Sequence, residues 1–581
     1  MSPRSVGAIE PDASTSSTLQ PSPVRANTGM VTAAHPLASE AGVSILQAGG
    51  NAIDAAIATA FAISVLEPYS AGIGGGGFLL IYDAATREVR SLDFRERAPI
   101  AATAEMYLDG NGEPTESSRS GHRAVAVPGT VAGLYAAHQR YGQLPWAEVV
   151  QPAIELAESG FELGERFARS LNWRASTLLS NPAARAVFSR DGESDTLYTS
   201  GDQFVQPDLA ATLRRLARDP ADFYHGQTAA AIVADMAANG GLITQTDLDR
   251  YEPIWRDPVC GVFQLDRANP DQFRVCAMAP PSSGGVHLLQ ILRLLEPLDL
   301  ANQNATQGAH LLIEAMKIAY ADRAYYLGDP DFVDVPVTEL ISPEYLDRRR
   351  AEIEPDRARA AEEVYAADPA LIERLTIESR DTTHLSVVDG DRNAASLTFT
   401  VNGGFGAGIV AAGTGIVLNN EMDDFSIAPG VPNLYGLIGG EANAIAARKT
   451  PLSSMTPTII TDTDANLRLV VGAPGGSTII TTVAQILLHS LVYDRDIATA
   501  IAAPRLHHQW QPDILRLEAD FDPAIIRDLQ ALGHVLVPGG SWGNANAIEV
   551  IPANIIPGSG LRPDYLEGSI DPRGDGLVQG F

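Results

Sequence analysis

Two cysteines in 581 residues, Cys260 and Cys276, leave the chain neither a disulfide framework nor a thiolate metal cluster. They fall in two apolar runs, VCGVFQL and FRVCAMA, around a polar DRANPD turn, so they can face each other on paired strands. Two buried free thiols are the expected state. Lysine is as scarce: Lys317 and Lys449 are the only ones, and neither sits in an S-x-x-K or Gly-Lys-Thr setting. Phosphate-loop nucleotide binding and lysine-assisted acylation are thereby unsupported. There is no H-E-x-x-H, and the adjacent His507 and His508 point to different sides of any regular element, so a shared metal is not expected. The longest apolar run, Ala55–Leu66, is well short of the roughly 20 residues of a membrane span. Basic residues are outnumbered 41 to 71, and the net charge of −30 repels nucleic acid and anionic lipid.

What is present is a globular composition, 45% apolar with 19% charged, and enough chain to bury a sizeable core. Residues 1–28 are rich in Ser, Pro, Thr and Ala and read as a disordered leader without the apolar stretch of a secretory signal. Two helical stretches of small residues follow: PLASEAGVSILQAGG, ending at a Gly-Gly-Asn stop, and NAIDAAIATAFAISVL, starting from Asn51 with Asp54 in its first turn. In AGIGGGGFLLIYD, Gly72, Gly74 and Gly77 fit G-x-G-x-x-G, but they precede a strand instead of following one. They read as places where the backbone passes close to another segment. The strand Glu88 to Phe94 ends in Asp93-Phe94-Arg95-Glu96, whose charges read by pattern as solvated turn residues. RAVAVPGT reads as a strand and turn, and residues 146–330 as largely helical. Gly539 to Gly543 fits G-x-S-x-G, yet a strand follows it and no histidine lies downstream of Ser541, so a hydrolase elbow is excluded.

The composition shifts just before Thr382, where alternating strands begin. Ser396, Thr398, Thr400 and Asn402 share one strand face, and Leu397, Phe399 and Val401 the other. The cluster Asp389 to Asn393 reads as a hairpin loop. Pairing symmetric about Asp391 sets Thr382 opposite Thr400, which is ordinary sheet chemistry unless one hydroxyl is activated. A threonine needs a base beside it to act as a nucleophile. Cutting the chain before Thr382 supplies one, because its own α-amine would titrate near pH ~7.7–8.0.

In order along the chain, GGNAIDAA, GGGGF, DFRE, VAVPGT, NGGLIT, PPSSGG, YADRAYYLGDPDF, TTHLSVVD, NNEMDDFS, PLSSM, PGGS and PRLHHQW resemble the γ-glutamyltranspeptidases, members of the N-terminal-nucleophile hydrolase superfamily. The resemblance runs from about Gly29 to Phe581 and implies an α+β fold, a four-layer αββα sandwich. It implies self-cleavage between Asp381 and Thr382 into a large subunit, 29–381 after the leader, and a small catalytic subunit, 382–581, which together form one composite domain. It further implies Thr382 as nucleophile, Thr400 as its hydrogen-bonding partner and Asn402 as a substrate contact. Arg95, Ser453 and Ser454 are matched to the substrate α-carboxylate, and Glu421 with Asp424 to the α-ammonium, a division that suits their charges. Gly475 and Gly476 are matched to the oxyanion hole, and Tyr435 to a lid loop.

The implied reaction is γ-glutamyl transfer or hydrolysis on glutathione and related amides, with an amino acid, a peptide or water as acceptor and no metal or organic cofactor. Two alternatives stand beside it: a glutaryl (cephalosporin-type) acylase on the same scaffold, and an unprocessed γ-glutamyl-binding protein. Family members are often periplasmic or extracellular, whereas no signal peptide is visible here.

Overall fold

The computed structural model describes residues 22–264, 272–364, 382–428, 430–556 and 560–581, with side chains of 554–562 excepted. Fourteen strands build two seven-stranded sheets. In chain order the first seven are β1 (Val24–Ala26), β2 (Met30–Ala33), β3 (Gly76–Asp83), β4 (Glu88–Asp93), β5 (Ile254–Arg256), β6 (Val259–Phe263) and β7 (Phe273–Ala277). The rest are β8 (Thr383–Val388), β9 (Ala394–Thr400), β10 (Thr458–Asp462), β11 (Leu467–Gly472), β12 (Asn546–Ile551), β13 (Tyr565–Ile570) and β14 (Leu577–Gly580). One sheet runs β14-β2-β8-β9-β3-β4-β5 and the other β1-β13-β12-β11-β10-β7-β6. Strands from before and after residue 381 are interleaved: β2 lies between β14 and β8, β3 beside β9, β7 beside β10, and β1 beside β13.

Alternation along the strands sorts side chains into layers. Leu79, Ile81, Leu385, Val387, Leu397 and Phe399 face outward onto α1 (Pro36–Gln47), α2 (Ala52–Leu66) and α3 (Thr130–Tyr141). Phe78, Leu80, Tyr82 and Val388 face inward and meet Ile459, Val470 and Ile548 of the second sheet. The outer face of that sheet carries α4 (Gly284–Leu295), α5 (Ala305–Tyr326) and α6 (Thr478–Leu491). The result is a four-layer αββα sandwich. All fifteen residues of α2 are buried, its N-terminus closed by the expected Asn51–Asp54 capping box. No helix among the described residues is long and apolar enough to cross a membrane.

The polar face of β8 and β9 lies between the sheets, not in water. Ser396 reaches across to Val471 O and Thr458 N, and Asn546 donates to His384 O at 2.7 Å. His384 is held by Thr398 at 2.8 Å and Ser386 at 3.0 Å, and burial lowers its pKa to about 3, so it is a neutral structural imidazole. The glycine run lets β3 approach β9: a Cβ on Gly75 would stand 1.8 Å from Thr400 O.

Four expectations are corrected. Val24–Ala26, inside the stretch read as a disordered leader, is an edge strand paired with β13; residues 1–21 lie outside the described residues. Cys260 and Cys276 are disulfide-bonded instead of free, because the hairpin register sets them directly opposite at a Cα–Cα distance of 4.2 Å. RAVAVPGT forms a one-turn 3-10 helix, His122–Ala124, and a single bridge from Val127 to Arg97 instead of a strand. The charges after β4 are buried, with Asp93, Arg95 and Glu96 between 0 and 3% exposed.

Candidate active site

Thr382 stands immediately before β8, and the β8–β9 register is the one expected, with Thr383 opposite Phe399 and His384 opposite Thr398. Extending it by one residue brings the Thr382 hydroxyl to the Thr400 hydroxyl, 3.2 Å away. Thr400 Oγ1 also accepts the Asn402 N–H at 2.8 Å and lies 3.4 Å from the Ser70 carbonyl, so its orientation is fixed from three sides. Asn402, at φ +72°, turns the chain out of the strand and donates its side-chain amide to Asn420 O at 3.0 Å. Thr382 has φ +141°, a conformation that β-branched residues rarely adopt.

Beside this pair lies a buried charge cluster. Arg95 forks between Glu421 and Asp424, the latter at 2.5 Å, and its Nε is 3.4 Å from Pro451 O. Burial opposes the Arg95 charge, but Glu421 and Asp424 outweigh it and hold the pKa above the ordinary arginine value. Glu421 comes from a 3-10 turn, Glu421–Asp424, and is buried close enough to the Glu96 carboxyl for the two charges to oppose each other. Two buried carboxyls that repel each other do not both ionise readily. Burial lifts Glu96 to about 7 and Glu421 well above the usual range.

Ser453 and Ser454 reach the same place on a loop locked to the segment before α4: Ser453 N donates to Pro281 O at 2.8 Å, and Ser283 Oγ to Ser453 O at 2.9 Å. Arg323, near the end of α5, donates to Ser454 Oγ at 3.4 Å. On the far side, Gly475 (φ +129°) and Gly476 (φ +56°) connect β11 to α6 in conformations that favour glycine. A Cβ on Gly476 would strike the Tyr435 ring at 2.2 Å. Tyr435 closes the top, its hydroxyl donating to Asn402 O at 3.0 Å. Thr382, Thr400, Asn402, Arg95, Glu421, Asp424, Ser453, Ser454, Tyr435 and Gly476 together line one cavity of about 20 Å³.

The profile of the Gamma-glutamyltranspeptidase family matches residues 38–581. The chain belongs to this family. A similar relative is the glutathione hydrolase proenzyme of Escherichia coli K12, 42% identical over 565 residues, covering 96% of this chain and 93% of that one. Among solved structures, cephalosporin acylase from Bacillus halodurans superposes with a TM-score of 0.82 at 27% identity, covering 99% of both chains. Helicobacter pylori γ-glutamyltranspeptidase matches 56% of this chain and 91% of its own at 43% identity, with a TM-score of 0.53.

Of the site residues that the γ-glutamyltranspeptidase motifs single out, all but two line the cavity. Gly475 sits one residue behind Gly476, and Asp381 lies outside the described residues. Two residues escaped the sequence. Glu96 was read as a solvated turn charge, and only contact with Glu421, far along the chain, shows otherwise. Arg323 lies within the YADRAYYLGDPDF motif, but it occupies the last turn of a helix, where a basic residue is ordinary end-of-helix chemistry, and the motif alone assigned it no role.

Proposed function

We propose that this protein is an autoprocessed γ-glutamyl acyltransferase and hydrolase that cleaves the γ-glutamyl amide bond of glutathione and related compounds. One cavity holding a hydroxyl pair at its wall and a mixed-charge cluster beside it carries this reading. In maturation, Thr382 Oγ1 attacks the carbonyl of Asp381, the C–N bond breaks to free the Thr382 α-amine as the peptide becomes an ester, and water then hydrolyses the ester to the Asp381 carboxylate and the Thr382 hydroxyl. The unfavourable φ at Thr382 favours leaving the precursor state.

In turnover the α-amine takes the hydroxyl proton as Oγ1 attacks the substrate γ-carbonyl. The N–H groups of Gly475 and Gly476, ahead of α6, receive the developing oxyanion; loss of one such donor typically costs about 2.7–4 kcal/mol of barrier. The proton passes to the departing amine, leaving a γ-glutamyl ester on Thr382, which water or an acceptor amine resolves. Recognition follows charge: the substrate α-carboxylate meets Arg95, Ser453 and Ser454, and its α-ammonium meets Glu421 and Asp424. A cavity of about 20 Å³ holds roughly one water, so Tyr435 and its loop swing aside to admit substrate.

The likeness to a cephalosporin acylase keeps a glutaryl acylase as the second reading. A glutaryl group lacks the ammonium that Glu421 and Asp424 suit, and so leaves buried acids without a new partner. The expected result is two fragments on a denaturing gel, the smaller beginning at Thr382, with γ-glutamyl anilide turned over far faster than glutaryl anilide. A different N-terminus sinks the mechanism, and comparable rates sink the substrate assignment.

A further inference from the structure

Arg323 is 4% exposed and lines the catalytic cavity, yet among the described residues it forms no ion pair. Its polar contacts are two hydroxyls, Ser283 Oγ at 3.2 Å from Nε and Ser454 Oγ at 3.4 Å from Nη2. The other deeply buried arginines are treated differently: Arg95 holds Glu421 and Asp424, Arg359 holds Glu314, and Arg505 holds Asp571. A guanidinium buried without a counter-ion is costly unless an anion joins it. The cost is visible here, since burial pulls the Arg323 pKa down to about 10 despite attraction from Asp424. The nearby acids do not supply the missing partner, because Asp424 and Glu421 are engaged by Arg95.

We propose that Arg323 is a specificity-determining residue for the substrate α-carboxylate, fixing the Ser454 hydroxyl that receives it and supplying a second positive charge opposite Arg95. This rests on the γ-glutamyl reading above and adds a residue to it. The charge balance supports the assignment. With one of Glu96 and Glu421 held protonated by burial, these two acids and Asp424 balance Arg95 and Arg323, and a zwitterionic head enters without disturbing the sum. The carboxylate then has two cations to meet, and the ammonium has the acids that Arg95 releases.

A purely structural role for Arg323, tying α5 to the Ser454 loop, affects every substrate alike; a role in carboxylate recognition does not. The test compares kcat/KM of the mature protein on L-γ-glutamyl anilide and on 4-aminobutanoyl anilide, which differ only in the α-carboxylate. In Arg323→Met the ratio between them is expected to fall about 10- to 100-fold, the size of a lost charge-assisted contact, mainly through the γ-glutamyl substrate. Arg323→Lys keeps a cation but loses the fork, and its ratio is expected to fall to an intermediate value. It decides the matter should the Met variant fail to mature. An equal loss on both anilides, or an unchanged ratio in Arg323→Lys, overturns the proposal. Failure of the wild-type protein to cleave γ-glutamyl anilide overturns the functional reading instead.

Discussion

Among the described residues, Thr382 has one hydroxyl neighbour at 3.2 Å and no histidine or lysine as a hydrogen-bond partner, which suits the proposed activation by its own amine. Thr382→Ala is expected to run as one uncut 61.6 kDa chain on a denaturing gel and to show no anilide turnover. In that uncut background, Arg95→Met leaves Glu421 and Asp424 buried without their cation. Urea unfolding should show a loss of about 3–5 kcal/mol, and a loss below 1 kcal/mol would mean that the acids find other partners. Glu96 sets a pH dependence. Its folded pKa of about 7 stands above the ordinary glutamate value of 4.5, so the folded protein retains a proton that the unfolded chain has shed. The stability it contributes is complete below the unfolded value and is lost as pH rises through the folded one. Melting temperatures across that window should fall less steeply in Glu96→Gln than in the parent protein. At this scale the sequence was least legible. Arg95 and Glu96 look like turn charges because the residues that bury them, Glu421 and Asp424, lie more than 300 positions away, and pattern carries no record of such contacts.

The β8–β9 hairpin was readable to the residue, because loop symmetry fixes register and register fixes which hydroxyls meet. The Cys260–Cys276 hairpin obeyed the same rule. Its register was equally within reach of the sequence, but thiol proximity alone does not say that a bond forms. With a sequence separation of 16, the chain-entropy estimate gives that bond about 3 kcal/mol. Changing both cysteines to serine should lower the unfolding free energy by up to that amount while leaving anilide turnover at ambient temperature intact, since neither cysteine lines the cavity. A change in KM instead would tie the β6 edge strand to the site. The loop proposed as a lid was visible as a Gly/Pro-rich stretch, whereas its packing over the site was not. That packing sets the Tyr435 ring over Gly476, a contact between segments that only the fold brings together.

Over the whole molecule, the αββα arrangement and the ordering of motifs were available from the sequence. The interleaving of strands across residue 381 was not, because strand neighbours in a sheet depend on topology and not on local pattern. That interleaving gives the proposed cut an unusual character. Severing the chain before Thr382 leaves two polypeptides whose strands alternate in one sheet and adjoin at both ends of the other, so neither can leave without unzipping hydrogen-bonded ladders. Before the cut, folding is a first-order search within one chain. After it, the same structure requires two chains to find each other, and assembly becomes second order. Refolding yield from denaturant should therefore climb with protein concentration for the mature form and stay flat for Thr382→Ala. The cleavage thus acts as a ratchet, held by topology in the folded state and forfeited once the two chains drift apart.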